Sequence, residues 1–190
     1  MKVLKFGGTS VGSVENIQRV KEIVAAISEP AVVVVSAVGG ITDKLIATTQ
    51  QAVNGTTTYT TQLDTIAQIH HNIIAGVVPA AMQAEVTEKV DTLLAEISTI
   101  LTSIEGIENL SSKDMDLVVS YGERMSSIIM AAVLNAQWWN SLDLIKTQQG
   151  AHKNVLDQAT TYALLQNKKD NLAPVTVMGG FISTDSQSGE

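Results

Sequence analysis

The sequence predicts an α/β protein built around a largely parallel sheet, and three observations carry that expectation. Ala31-Val32-Val33-Val34-Val35-Ser36 is a continuous β-branched run, the pattern of a strand covered on both faces. A shorter apolar run, Val3-Leu4-Lys5-Phe6, precedes it with one amphipathic stretch between, so strand, helix and strand fit within 36 residues as a right-handed crossover unit. Both runs, and a third at Pro174-Val175-Thr176-Val177-Met178, open into glycine pairs: Gly7-Gly8, Gly39-Gly40 and Gly179-Gly180. Parallel strands that open into loops at one sheet edge define a crevice, the usual ligand position in open α/β sheets.

The remaining elements follow in order. Ser13 reads as an N-cap with Glu15 in the first turn, and Val14, Ile17, Val20, Val24 and Ile27 recur at three and four residues, so a helix spans Ser13 to Ser28. Another begins at Asp43 and runs through Leu45, Ile46, Thr49 and Val53, with Thr42 as a good N-cap. After the turn formers Asn54-Gly55-Thr56 the register becomes that of a helical hairpin. One helix carries Leu63, Ile66, His70, Ile73 and Val77. The other, after Pro79, carries Met82, Val86, Val90, Leu93, Ile97, Ile100 and Ile104. Residues 58 to 106 are therefore expected to form a helical excursion from the sheet, its stripe serving as intramolecular core or, alternatively, as a dimer contact.

Ser111 to Asp116 offers capping hydroxyls and first-turn acids for a helix reaching about Asn135, interrupted at Gly122, with Glu123 and Arg124 at the break. Leu117-Val118-Val119 fits a strand as well as a helix, because periodicity does not separate the two in so short a run. Gln137-Trp138-Trp139 and Leu142-Asp143-Leu144-Ile145 are short strand candidates; Val155, Ala159, Tyr162 and Leu165 mark a further helix. Ser183 to Glu190 has loop composition with no closing helix, so the expectation is a single unit, residues 1–190, that stops inside its domain.

Composition narrows the function. With 190 residues, 45% of them hydrophobic, the chain can bury a substantial core. Lys and Arg number 12 against 19 Asp and Glu, a net charge of −7, which argues against nucleic acid or an anionic membrane as partner. Absence of cysteine excludes disulfides, thiolate metal sites and cysteine nucleophiles. His70, His71 and His152 form no ligand spacing, so no protein metal site is expected. No apolar run is long enough to span a bilayer and the N-terminus lacks a signal-peptide core, which points to a cytoplasmic protein.

Lys5-Phe6-Gly7-Gly8-Thr9-Ser10 is the most informative stretch. A lysine at a strand end, two glycines and two hydroxyls suit a phosphoryl group: amides exposed at the turn point at the anion and the ammonium supplies full charge. Lys5 and Gly7 face the same side of the strand. This is not a Walker loop, in which the lysine follows the glycines. The competing reading is an exposed strand lysine beside an ordinary turn.

Lys5-Phe6-Gly7-Gly8-Thr9-Ser10-Val11 resembles the N-terminal signature of aspartate kinases, a branch of the amino acid kinase superfamily. Val35 to Asp43, Gly122-Glu123-Arg124-Met125-Ser126 and Gly179-Gly180-Phe181-Ile182 resemble the later motifs of that family, in the same order. The resemblance covers essentially the whole chain. It implies a three-layer α/β/α sandwich, and transfer of the γ-phosphoryl group of ATP, with Mg2+, to the side-chain carboxylate of L-aspartate. It assigns Lys5 to the phosphoryl in flight, and Gly7 and Gly8, with Thr9 and Ser10, to the phosphate. Thr42 and Glu123 match acceptor-binding positions. Glu123 would meet the α-ammonium, and the hydroxyls of Ser36 and Thr42 would serve the carboxylates. Phe181 would wall the acceptor pocket, although a phenylalanine after an apolar strand also suits a core. Glu123 has its own structural reading, as a first-turn acid or a partner of Arg124.

In the family, the loop after Phe181 leads to an Arg-Gly-Gly-Ser-Asp segment, the half that holds the nucleotide base, and regulatory domains. This sequence contains none of these, so the resemblance implies the acceptor half of a site with little activity alone. The resemblance fits a monofunctional parent as well as one fused to homoserine dehydrogenase, and it implies a homo-oligomer. An acetylglutamate kinase-like carboxylate kinase, and a non-catalytic module that holds a small anion or docks a partner, are the alternatives.

Overall fold

A computed structural model describes residues 1–150 and 154–189; His152 lies outside them. The first three elements are strand β1 (Lys2–Phe6), helix α1 (Val14–Ala25) and strand β2 (Ala31–Val35). Ser13 caps α1, its side chain accepting from the Asn16 amide at 3.2 Å. Helix α2 (Ile41–Val53) follows the second glycine pair, then the hairpin α3 (Tyr59–Val77) and α4 (Ala80–Ser103), and α5 (Ser112–Val133). Strand β3 (Gln137–Trp138), the short helix α6 (Ser141–Leu144), strands β4 (Lys146–Gln149) and β5 (Asn154–Leu156), helix α7 (Gln158–Lys168), and strands β6 (Val175–Gly179) and β7 (Thr184–Asp185) complete the order.

The main sheet runs β1-β2-β6-β3, with all three pairings parallel. Lys5 lies opposite Val34, and Val35 opposite Gly179, so the three glycine pairs emerge from the same ends of adjacent strands. A second small sheet, β5-β4-β7, lies apart from the first. Alternation along β2 explains the layering. Val33 and Val35 enter a large core with Ile17, Ile41, Leu45, Ile66, Val90, Ile97, Met125 and Ile129 of α1 to α5. Val32 and Val34 face a smaller cluster of Trp139, Leu144 and Met178. Helices thus cover both faces of the sheet, which is the α/β arrangement expected.

Several local expectations are revised. Helix α5 runs unbroken through Gly122, and Leu117 to Val119 are helical. Leu142 to Leu144 belong to α6, because the Asn140 side chain accepts from the Leu142 amide at 3.2 Å and starts a helical turn where a strand was expected. Val155 lies on β5, and the helix after it is capped by Asp157, which accepts from the Thr160 amide at 3.0 Å. Gly40, not Thr42, is the N-cap of α2, leaving Thr42 in its first turn.

Candidate active site

The crevice is built by backbone contact between the first two glycine loops. A Cβ on Gly8 would stand 3.0 Å from the Ala37 carbonyl oxygen and 3.4 Å from Gly39 Cα, so glycine lets the loops touch. Gly40 takes φ +78°, the left-handed conformation that starts α2 without a side-chain cap. At Gly7 the geometry differs: a Cβ there would meet nothing within 4 Å. Its carbonyl accepts from the Ser10 amide at 2.9 Å, closing the turn and leaving Ser10 its hydroxyl as donor. Asn16 of α1 holds the same turn, donating to the Thr9 carbonyl at 2.9 Å.

Lys5 is exposed on the face of β1 away from the large core. Ser36, two residues beyond its partner Val34, lies on the same face, and the Lys5 ammonium reaches the Ser36 hydroxyl at 3.4 Å. The ammonium also stands 4.7 Å from the centroid of the Phe181 ring. Gly180 ties that third loop to the second, its amide donating to the Val35 carbonyl at 2.8 Å.

Glu123 enters from α5 and is only 8% exposed. One of its oxygens accepts from the Ala37 amide at 3.1 Å, on the residue next to Ser36. Burial pushes its pKa above the ordinary carboxylate value, while the Ala37 and Glu123 amides and the charge of Lys5 hold it down in part. Gly179 packs on it: a Cβ there would be 3.3 Å from Glu123 Cβ.

Lys5, Ser36, Glu123 and Phe181, with the turn Gly7 to Ser10, therefore gather at one edge. Among the described residues no hydrogen bond joins the Thr42 hydroxyl to Lys5 or Glu123; the first turn of α2 places it at the same edge. Ser141 escaped the sequence reading. It is 1% exposed and donates to the Gly179 carbonyl at 2.6 Å, anchoring the third loop. No local pattern marks it, since it follows Asn140 in an ordinary capping sequence.

An ammonium beside open glycine backbone fits a phosphate, and a carboxylate held among amides fits an ammonium group. Among the described residues no group of three or more His, Asp or Glu is placed to hold a metal ion.

Fold and site together define an α/β protein with a glycine-lined crevice at the ends of parallel strands. The chain belongs to the amino acid kinase family, whose model matches residues 1–189. Aspartokinase 1, chloroplastic, of Arabidopsis thaliana is 31% identical over 98% of this chain and 34% of its own length. The bifunctional aspartokinase/homoserine dehydrogenase 2 of Escherichia coli is 28% identical over 96% of this chain and 23% of its own. Among solved structures, E. coli aspartokinase III in complex with aspartate and ADP superposes with a TM-score of 0.84 at 25% identity, over 98% of this chain and 42% of that one. This chain spans between about a quarter and a third of the length of these curated relatives.

Proposed function

We propose that the chain supplies the acceptor side of an aspartate kinase site. In the reaction, a side-chain carboxylate oxygen of L-aspartate attacks the γ-phosphorus of ATP. The bond to the bridging oxygen breaks, ADP leaves with the electron pair, and 4-phospho-L-aspartate forms. The acceptor is already ionised, so the step needs no general base; positioning and charge neutralisation are the protein's work. The observation that carries the reading is the meeting of Lys5, the open Gly7 backbone and the buried Glu123 carboxylate at the ends of adjacent strands.

In this reading Lys5 neutralises charge on the transferring phosphoryl group. Gly7 and Gly8 present amides, and Thr9 and Ser10 hydroxyls, to the same phosphate. Glu123 takes the α-ammonium of aspartate, Ser36 and Thr42 offer hydroxyls to its carboxylates, and Phe181 borders the pocket. Mg2+ accompanies the nucleotide and supplies charge neutralisation on its phosphates. Residues 1–190 act as the acceptor-substrate part of the kinase domain, with about 58–106 as a helical excursion. A cytoplasmic homo-oligomer serving amino-acid biosynthesis, with lysine, threonine and methionine as downstream products, completes the proposal.

The decisive experiment is aspartate-dependent ADP formation by the protein that carries this chain, with acetylglutamate as the competing acceptor. Lys5→Ala should lower turnover about 10²- to 10³-fold, the usual loss for one donor to transition-state charge. Gly7→Ala, whose methyl meets no protein atom within 4 Å, should fold normally and still impair nucleotide use. Unchanged turnover in Lys5→Ala would remove its assigned role.

A further inference from the structure

Phe181 is unfavourable on two counts. Its φ of +60° places a bulky side chain in the left-handed region, and 86% of its surface is exposed. Core packing offsets neither. Its ring does have a partner, the Lys5 ammonium 4.7 Å from its centroid, within range for attraction between a cation and the negative face of an aromatic ring. Lys5 needs such a partner. It is exposed on a flexible four-carbon stem, and its hydrogen bond to the Ser36 hydroxyl is a long 3.4 Å. A charge that must meet a phosphoryl group acts best when it is already in place.

We propose that Phe181 is a positioning residue for Lys5: the left-handed turn after Gly180 swings its ring over the strand end, and the ring face holds the ammonium beside the glycine turn before a phosphate arrives. This rests on the phosphate-binding role given to Lys5 above. It assigns Phe181 an action on the phosphoryl side of the site, through Lys5, in addition to bordering the acceptor pocket. The exposure of the ring follows, because a ring sunk into the core would not reach an ammonium at the surface.

The test reads Lys5 directly and uses inorganic tripolyphosphate as the probe of the protein that carries this chain. In the wild type, the ring current of Phe181 should shift the Lys5 side-chain methylene protons upfield. Phe181→Leu keeps a bulky apolar residue at the same positive φ, so it removes the aromatic face and little else. It should abolish that shift and weaken tripolyphosphate roughly two- to thirtyfold. Replacing Phe181 with ring-fluorinated phenylalanines, close in shape but with a progressively weakened negative face, should lower affinity step by step. A steric role would not produce that gradient. In a Lys5→Ala background, Phe181→Leu should have no further effect.

Unweakened binding by Phe181→Leu, or equal weakening in the Lys5→Ala background, overturns the positioning role and leaves that of Lys5 intact. If Lys5→Ala itself binds tripolyphosphate as tightly as the wild type, the phosphate role of Lys5 falls, and the positioning role with it.

Discussion

A carboxylate that is 8% exposed must be charged at a cost or neutral, and Glu123 shows which force dominates. Burial raises its pKa, and the amides of Ala37 and Glu123 and the charge of Lys5 only partly oppose this. A folded-state pKa above the unfolded value means that the group favours the fold fully at pH below the ordinary carboxylate value. That contribution is lost as pH rises through the raised value. Glu123→Gln keeps an oxygen for the Ala37 amide and removes the charge. It should match wild-type stability near pH 4 and equal or exceed it at pH 8, as read from urea midpoints. Aspartate affinity should fall roughly 10- to 100-fold by calorimetry, the scale of a lost charge-assisted bond. A variant less stable than the wild type at pH 8 would show that the carboxylate is better compensated than this argument allows. The place of Glu123 and Ser36 at this edge was legible only through the motifs that carry the family resemblance, and that of Lys5 through strand alternation and the glycine pair that ends its strand. The ring of Phe181 over Lys5 was not, because it depends on a positive φ that no local pattern announces.

Gly122 shows where reading by element fails. Propensity treats a mid-helix glycine as a break, yet α5 passes through it unbroken. The reason lies in another element: a Cβ there would stand 2.8 Å from Ala37 Cβ and 3.6 Å from Ile41 Cγ2 and Leu45 Cδ1. Two effects then compete in Gly122→Ala. Helix propensity gains about 1 kcal/mol, and overpacking against a backbone-anchored methyl costs about 1–3 kcal/mol. Overpacking should prevail, lowering Tm by a few degrees at about 2–4 °C per kcal/mol. Because Ala37 donates to Glu123, the same variant should also weaken aspartate binding; a higher Tm with unchanged binding would overturn the packing argument. Strands β1, β2 and β6 were legible because apolar runs ending in glycine have few alternatives, and the hairpin because Val86, Val90, Leu93 and Ile97 recur on one buried face. The second sheet was not. Lys146 to Gln149 is a polar strand whose pairing with β7 is parallel, and neither its composition nor its spacing marks it.

For the molecule as a whole, net stability is a small remainder, about 5–15 kcal/mol for a domain, so one misplaced proton matters. His70 lies on the apolar stripe of α3 and is fully buried. Its Nδ1 is 2.8 Å from the Ile66 carbonyl, which can only accept, so the proton sits on Nδ1 and the buried Nε2 is left without a partner. Burial, and secondarily His71, pushes its pKa down against the opposing bond to Ile66. The unfolded chain therefore takes up a proton as pH falls below about 6.5 while the folded chain resists it. Stability should decline by up to ~1.4 kcal/mol per pH unit until the folded form also protonates. Glu29, Glu85, Asp157 and Asp185 have lowered pKa values, so their contributions disappear only at more acidic pH. Between pH 6.5 and 5, His70 should make wild-type stability fall as the pH drops. His70→Leu removes the titrating group, and the Ile66 carbonyl can still accept its helical bond, so this variant should lose correspondingly less over the same range. Urea midpoints for both chains at half-unit steps give the comparison; parallel slopes would show that the buried imidazole does not control the acid sensitivity of the fold.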